Sequence, residues 1–446
     1  MSPACKTLRT LLPFAVALAA GTAAGADLQA VYRDARSYDA QFAAAQAAQA
    51  AGREAFAQGR AGLLPTVALS ANRMNNDVDF QVRNNAATSV KKRYDSDGWT
   101  VNLSQPLFRW DRWAGYNQGE ARVAAAEAQF ELARQDLILR VAQSYFDVLL
   151  ANETLSAAEA NKKAISEQLE EAKRAFEVGT KTVVEVHDAQ ARFDLASAQE
   201  IVARNDLNVK RQQLRLVTGK DYDTLKDLRA GVVLPRPDPD NMEKWVGSAE
   251  VGYFGVQAAE ALVTVADAEV SRQRAGHMPS LDLVASRGRA SQDFNSIAGG
   301  AGTDTNTTVV GVQLTLPLFA GGAVSSAVDQ AVALKSKAQA DLDNARRTAA
   351  LQARQAYLGV VSGLAQVAAL EAALVSSQSA LDSNKLGFEV GVRTNIEVLN
   401  AQSQYYTTRQ NLVKARLDTL TALLRLKAAA GTLADGDIAS VNGLLD

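Results

Sequence analysis

The chain has 446 residues, with 47 Lys+Arg against 49 Asp+Glu, 47% apolar residues, nine prolines and a single cysteine. Balanced charge gives no basic footprint for nucleic acid, and one thiol excludes a disulfide framework or a cysteine-based metal cluster. The length fits two or three domains or one elongated body, and the alanine, glutamine, leucine and charged residues concentrated in two long tracts are the composition of long helices.

Residues 1–26, MSPACKTLRTLLPFAVALAAGTAAGA, read as a secretory signal peptide: Lys6 and Arg9, an apolar run from Leu11 to Ala20, then small residues before Asp27. The run is too short to span a bilayer. Cys5 lies ahead of it, where a lipoprotein acceptor would lie behind, and leaves with the leader. The mature chain then has 45 basic and 49 acidic residues and a net charge of −4. After Asp27 no unbroken run of 18 apolar residues occurs, so no transmembrane helix is expected. An exported chain of this kind is either soluble outside the cytoplasm or a β-barrel.

Residues 27–219 read as a first unit: a helix over about 27–62, a strand pair at about 65–79 and 97–108, a long helix over about 111–176 and a helix over about 182–217. The strands alternate, with Val67, Leu69 and Ala71 between Thr66, Ala68 and Ser70, and Trp99, Val101 and Leu103 between Thr100, Asn102 and Ser104. Polar loops join the strands, Asn75 to Asp97 here and Ser291 to Asn306 in the second unit. The long helix has no proline and would run about 100 Å. It ends in FEVGTKTVVEV, Phe176 to Val186.

A connector over 220–246 carries Pro235, Pro237 and Pro239. The pattern then repeats over 247–431. MPSLDLVAS answers LLPTVALSA, TLPLFAG answers SQPLFRW, and FEVGVRTNIEV, Phe388 to Val398, matches the earlier turn phrase at seven of eleven positions. A helix, strands at about 279–291 and 307–319, a long helix over about 321–388 and a helix over about 394–430 follow in the same order, and 432–446 form a C-terminal segment. A period this long is a duplicated module, not a solenoid. In the last helix Val392, Ile396, Leu399, Ser403, Tyr406 and Gln410 through Leu424 alternate spacings of four and three, and Val367, Leu374, Leu381 and Phe388 mark a heptad on its predecessor. Both are coiled-coil seams.

Four strands do not close a membrane barrel, and open edges are not tolerated in lipid. The chain is therefore expected to oligomerise; a dimer would supply eight strands and a trimer twelve. Val67, Leu69, Trp99, Val101, Leu103, Leu281, Leu283, Val310, Val312 and Leu314 are the expected lipid face, with Trp99 as an interfacial anchor; the alternative for Trp99 is a buried subunit contact. In the turn phrases Gly179 and Gly391 suit the left-handed residue that ends a helix, and Thr182 with Glu185, and Thr394 with Glu397, each fit a capping box. His187 and His277 stand in no metal-spaced cluster, and Gly219-Lys220 lacks the glycine of a phosphate loop. No cofactor, metal or catalytic residue is expected.

From DLQAVYRDAR through LLPTV, SQPLF, FEVGTKT, MPSLDL, LPLFAGG and FEVGVRT to KAAAGTL, essentially the whole mature chain resembles the TolC family of outer-membrane channels. The fold implied is mainly α with a small β portion, internally duplicated. A long coiled-coil helical barrel stands on four membrane strands per chain, twelve in a homotrimer. The resemblance implies a passive export duct of a tripartite efflux pump or type I secretion system, partnered by a periplasmic adaptor and an inner-membrane transporter of RND or ABC type. It implies a periplasmic gate of aromatic, arginine and acidic groups at Phe388, Arg393 and Glu185, with Lys181 in the first tip, and acidic rings at Glu397 and Asn400. Here glutamate stands at 397 for the usual aspartate and Asn400 is neutral, so one ring of three carboxylates is expected, without the second that would favour strong block by multivalent cations. Pairing of Arg393 with Glu185 is the expected latch. The alternative is a self-assembling extracytoplasmic coiled-coil protein.

Overall fold

A computed structural model describes residues 25–80, 90–180, 182–229, 231–295 and 300–446. The first unit holds α1 (Leu28–Tyr38), α2 (Ala40–Ala61), β1 (Thr66–Phe80), β2 (Val90–Phe108), α3 (Trp110–Glu177) and α4 (Val183–Thr218). The second holds α5 (Met242–Gly252), α6 (Phe254–Arg274), β3 (Ser280–Gln292), β4 (Thr303–Thr315), α7 (Ala323–Glu389) and α8 (Asn395–Ala429), and α9 (Asp435–Asn442) follows.

The four strands form one antiparallel sheet in the order β1-β2-β3-β4, which leaves β1 and β4 with unpaired edges. Beneath it α3, 68 residues and about 100 Å long, is the central post. On the sheet side of the chain's midpoint the helices stand in the row α2-α3-α6-α7, and on the far side in the row α4-α3-α8-α7. Both rows end on α7 at one margin and on α2 or α4 at the other.

The main core lies at mid-height, where Tyr145, Phe146, Ile138 and Val141 of α3 pack against Leu28 and Val31 of α1, Leu214 of α4, Leu420 and Leu424 of α8 and Ile438 of α9. The Tyr145 hydroxyl donates to the carbonyls of Ala26 and Lys226, at 3.1 and 2.7 Å. That ties the connector to the post.

Several features differ from the sequence reading. The first helix is two, because Asp39, extended at φ −60° and ψ 119°, caps α2 by accepting from the Phe42 amide; Tyr253 makes the equivalent break between α5 and α6. β1 and β2 stay paired out to Phe80 and Val90, so most of the expected loop from Asn75 to Asp97 is a hairpin extension. β4 runs from 303 to 315, not 307 to 319, because Pro317 supplies no ladder donor. Gly321 and Gly322 then turn the chain into α7 with φ of +61° and +84°. Finally, α7 contains an 18-residue stretch of mean hydropathy 1.8, apolar enough to cross a membrane by length and composition, of which only 11% is buried within the chain. Isolated residues such as Gln366 and Glu371 interrupt this stretch, so no unbroken apolar run betrays it.

Candidate functional site

The two turn phrases close the α3/α4 and α7/α8 pairs in nearly the same geometry. Gly179 and Gly391 both have φ of +79°. Thr180 N–H reaches back to the Ala175 carbonyl and Val392 N–H to the Gly387 carbonyl, each 2.9 Å. These are Schellman endings, and a side chain at either glycine would be strained by φ alone, since a Cβ there meets nothing within 4 Å.

The tips differ beyond that point. In the second, the Glu397 carboxylate accepts from the Thr394 amide at 2.8 Å and its hydroxyl at 3.0 Å, and pairs with the Arg393 guanidinium. The Thr394 amide and Arg393 hold the Glu397 carboxyl below the usual range. In the first, Thr182 is the N-cap and its hydroxyl donates to the Glu185 carboxylate at 3.4 Å, but no side-chain cap to a backbone amide forms. The expected latch is not made within the chain: Arg393 takes Glu397, four residues along its own helix, and Glu185 stands exposed. The i,i+4 spacing puts Glu397 in reach without any second element. Arg393 also lies over Gly387, where a Cβ would meet its Cγ at 2.5 Å. Phe388 is half-buried and Asn400 exposed, while Val398 and Leu399 turn inward and Leu399 packs with Ile165 and Ala196. Val392 and Ile396, placed by the heptad in a seam, are exposed at the tip instead. Lys181 lies outside the described residues.

At the sheet, register decides which residues share a face, because directly opposed residues of an antiparallel ladder point the same way. One row reads Val67, Leu103, Ala285, Val310; the next Leu69, Val101, Arg287, Thr308; the next Ala71, Trp99, Arg289, Asn306. Leu283 opposes Val312, and Leu281 opposes Leu314. All ten expected lipid-face residues therefore lie on one face. Val67, Leu69, Trp99, Val310, Val312 and Leu314 are exposed, whereas Val101, Leu103, Leu281 and Leu283 are half-covered by neighbouring strands. The other face carries Thr66, Ala68, Ser70, Thr100, Asn102, Ser104 and Asp282, and Asp282 accepts from Arg109 at 3.1 Å where the sheet meets α3. Leu318, Phe319, Trp110 and Trp113 stand exposed just below. A little deeper, the Arg272 guanidinium beside Glu269 holds that carboxyl down to about 2.

Sequence reasoning missed a third feature. Leu195, Val202, Val209 and Leu216 recur every seven residues along α4 and are 62%, 68%, 44% and 79% exposed. On α7, Leu351, Leu358, Val361, Val375 and Leu386 are exposed as well. The heptad period on α4 was the available signal. No group of His, Cys, Asp and Glu able to hold a metal ion occurs among the described residues.

A lipid-type sheet face at one end, hundred-ångström helices below it and unpartnered seams along both margins define one staves' worth of a membrane-anchored tubular channel. The model of the outer membrane efflux protein family matches residues 31–220 and 245–432, one match per unit. The TolC outer membrane protein of Vibrio cholerae is 32% identical over 98% of both chains, and the proteases secretion protein PrtF of Dickeya chrysanthemi is 32% identical over 96% of this chain and 93% of its own. The crystal structure of the Campylobacter jejuni CmeC outer membrane channel superposes with a TM-score of 0.80 at 18% identity, covering 100% of this chain and 98% of that one. The chain belongs to the outer membrane efflux protein family, of the TolC kind. It is an outer-membrane efflux or type I secretion duct that extends into the periplasm.

Proposed function

We propose that three copies of the chain close into a ring and form a passive conduit, gated at the helix tips. The single observation that carries this reading is that every free edge lies at a matching margin. β1, α2 and α4 stand open on one side, β4 and α7 on the other, which is the arrangement of a heterologous contact that closes by rotation. Heights agree as well. Leu216 lies about 50 Å and Leu195 about 18 Å from the tip along α4, and Leu358 and Val375 lie about 47 and 21 Å from it along α7, at 1.5 Å per residue. The apolar stretch of α7 is then a subunit seam, flanked on both sides by helices of the wall, and not a membrane span.

Three copies supply twelve strands. An eight-strand barrel is filled by its own side chains, so a dimer would leave no passage for a secreted or effluxed molecule. Val67, Leu69, Trp99, Val101, Leu103, Leu281, Leu283, Val310, Val312 and Leu314 face lipid, and Thr66, Asn102, Ser104 and Asp282 line the pore.

At the tips, Arg393, Glu397, Thr394 and Phe388 of each copy hold the end of the duct narrow, with Glu397 as the single carboxylate ring and Asn400 a neutral one; Glu185 and Lys181 of the first tip complete the constriction. Exposed ion pairs are weak singly, so closure rests on several together with coil packing. A periplasmic adaptor and an inner-membrane transporter of RND or ABC type would supply the energy and the opening force. One relative is named for the secretion of proteases, which favours an unfolded polypeptide among the cargoes. Light scattering of the purified protein in detergent tests the assembly: a mass of three chains is expected, and a stable mass of two overturns the twelve-strand duct.

A further inference from the structure

The outward face of the sheet carries five bases in sequence-distant places, and four have acidic partners on the same face. Arg73 pairs with Asp95 at 3.2 Å, Arg93 with Asp77 at 2.8 Å, Lys91 with Asp79 at 3.2 Å and Arg289 with Asp304 at 3.2 Å. Arg287 is the exception. Its side chain is exposed and has no hydrogen-bonding or ionic partner among the described residues. It is also the lowest of the five, opposite Val101 on one side and Thr308 on the other, between the row of Val67, Leu103, Ala285 and Val310 and the row of Trp99.

Depth fixes what can answer that charge. From Phe108, opposite Leu281, to Trp99 is nine residues of β2, about 23 Å of height at 3.3 Å per residue and a tilt of about 40°. An outer-membrane barrel's apolar band is about 25 Å tall. The Trp99 and Arg289 row therefore sits at the outer rim, and Arg287 one row, about 5 Å, inside it. An unpaired guanidinium left in acyl chains would be costly; its three-methylene stem is long enough to lift the head to the rim, where lipid phosphates lie. Among the described residues no carboxylate pairs with it, so the phosphates of the rim are the opposite charges within its reach.

We propose that Arg287 is a lipid-phosphate site: its guanidinium takes, in bidentate fashion, a phosphate of an anionic glycolipid of the outer leaflet, with the Trp99 ring packed against the sugar and acyl junction beside it. Phosphate suits the planar fork of arginine better than a point charge. This rests on the lipid-face reading of the preceding section.

The test compares the full-length assembly extracted from outer membranes as wild type, Arg287→Gln, Arg287→Lys and Arg73→Gln, with phosphorylated glycolipid per chain read by native mass spectrometry. Wild type and Arg73→Gln are expected to retain it equally, Arg287→Gln to retain roughly tenfold less, as for loss of a charge-assisted pair, and Arg287→Lys to fall between. Equal retention by wild type and Arg287→Gln overturns the proposal. So does release of the lipid from wild type by millimolar inorganic phosphate, which would make the site one for the free ion. A nitroxide at Val101 separates the two layers of argument. Quenching by lipid-soluble oxygen with unchanged glycolipid retention rejects the phosphate site alone, whereas quenching by a water-soluble reagent rejects the lipid face itself.

Discussion

Replacing Leu216 by alanine isolates the subunit seam from the fold of the chain. The side chain is 79% exposed on α4, so within one chain it contributes little, and an exposed substitution ordinarily moves folding stability by no more than about 0.5 kcal/mol. In the ring it would be covered by α7 of the next copy. The three carbons removed are worth roughly 2.4 kcal/mol at about 0.8 kcal/mol per buried methylene, and most of that is still unclaimed in the isolated chain, leaving about 2 kcal/mol per contact. A closed trimer has three such contacts and would lose about 6 kcal/mol. Its neighbour Leu214 is the contrast: it is 2% exposed in the mid-height core, and Leu214→Ala should cost the chain itself about 2 to 5 kcal/mol. Trimer dissociation followed by gel against temperature, alongside helix content by circular dichroism, separates the two. Leu216→Ala should dissociate at a clearly lower temperature with its helices intact. A ring that survives to the wild-type temperature refutes the seam.

Two further outcomes concern the tips. Arg393→Ser removes the exposed pair with Glu397 from each copy, so single-channel recordings in a planar bilayer should show open occupancy raised severalfold; unchanged occupancy in Arg393→Ser removes Arg393 from the gate. The Glu397 carboxyl is held below the usual range by the Thr394 amide and Arg393, so its capping contribution is fully present above the ordinary glutamate range and is lost as pH falls through the depressed value. Amide exchange over residues 395–399 should therefore accelerate on acidification relative to the first tip, where no side-chain cap forms; parallel pH profiles at the two tips would contradict this.

The duplication, the turns and the alternation of the strands were legible because each is a local pattern: glycines where φ must be positive, apolar residues every second position, a phrase written twice. The long helices were legible from the scarcity of breakers. The division of the first helix at Asp39 was not, since an aspartate that caps one helix while ending another looks like any polar residue until Phe42 offers its amide. Nor was the partner of Arg393, because a carboxylate four residues away competes locally with one on another helix, and sequence does not say which is closer. The α4 seam was readable in principle, but a seven-residue period says only that a helix has a partner. Exposure in the folded chain adds that no helix of the same chain covers it among the described residues, which is why the proposed ring assigns it to the next copy. Likewise Arg287 is one arginine among many until register sets it beside Val101.

The connector from Thr218 to Met242 is short for a chain that has travelled to the membrane, down to the tips and back. It suffices because α1 starts and α4 ends in the same mid-height core, as α5 and α8 do in the second unit. A gene segment encoding such a round trip can be copied in tandem without inventing a long linker, since each copy finishes where the next must start. Material added between the copies would emerge as a belt around the middle of the duct, away from both the pore and the tips, which makes mid-height the place where this architecture can gain new parts without relearning how to fold.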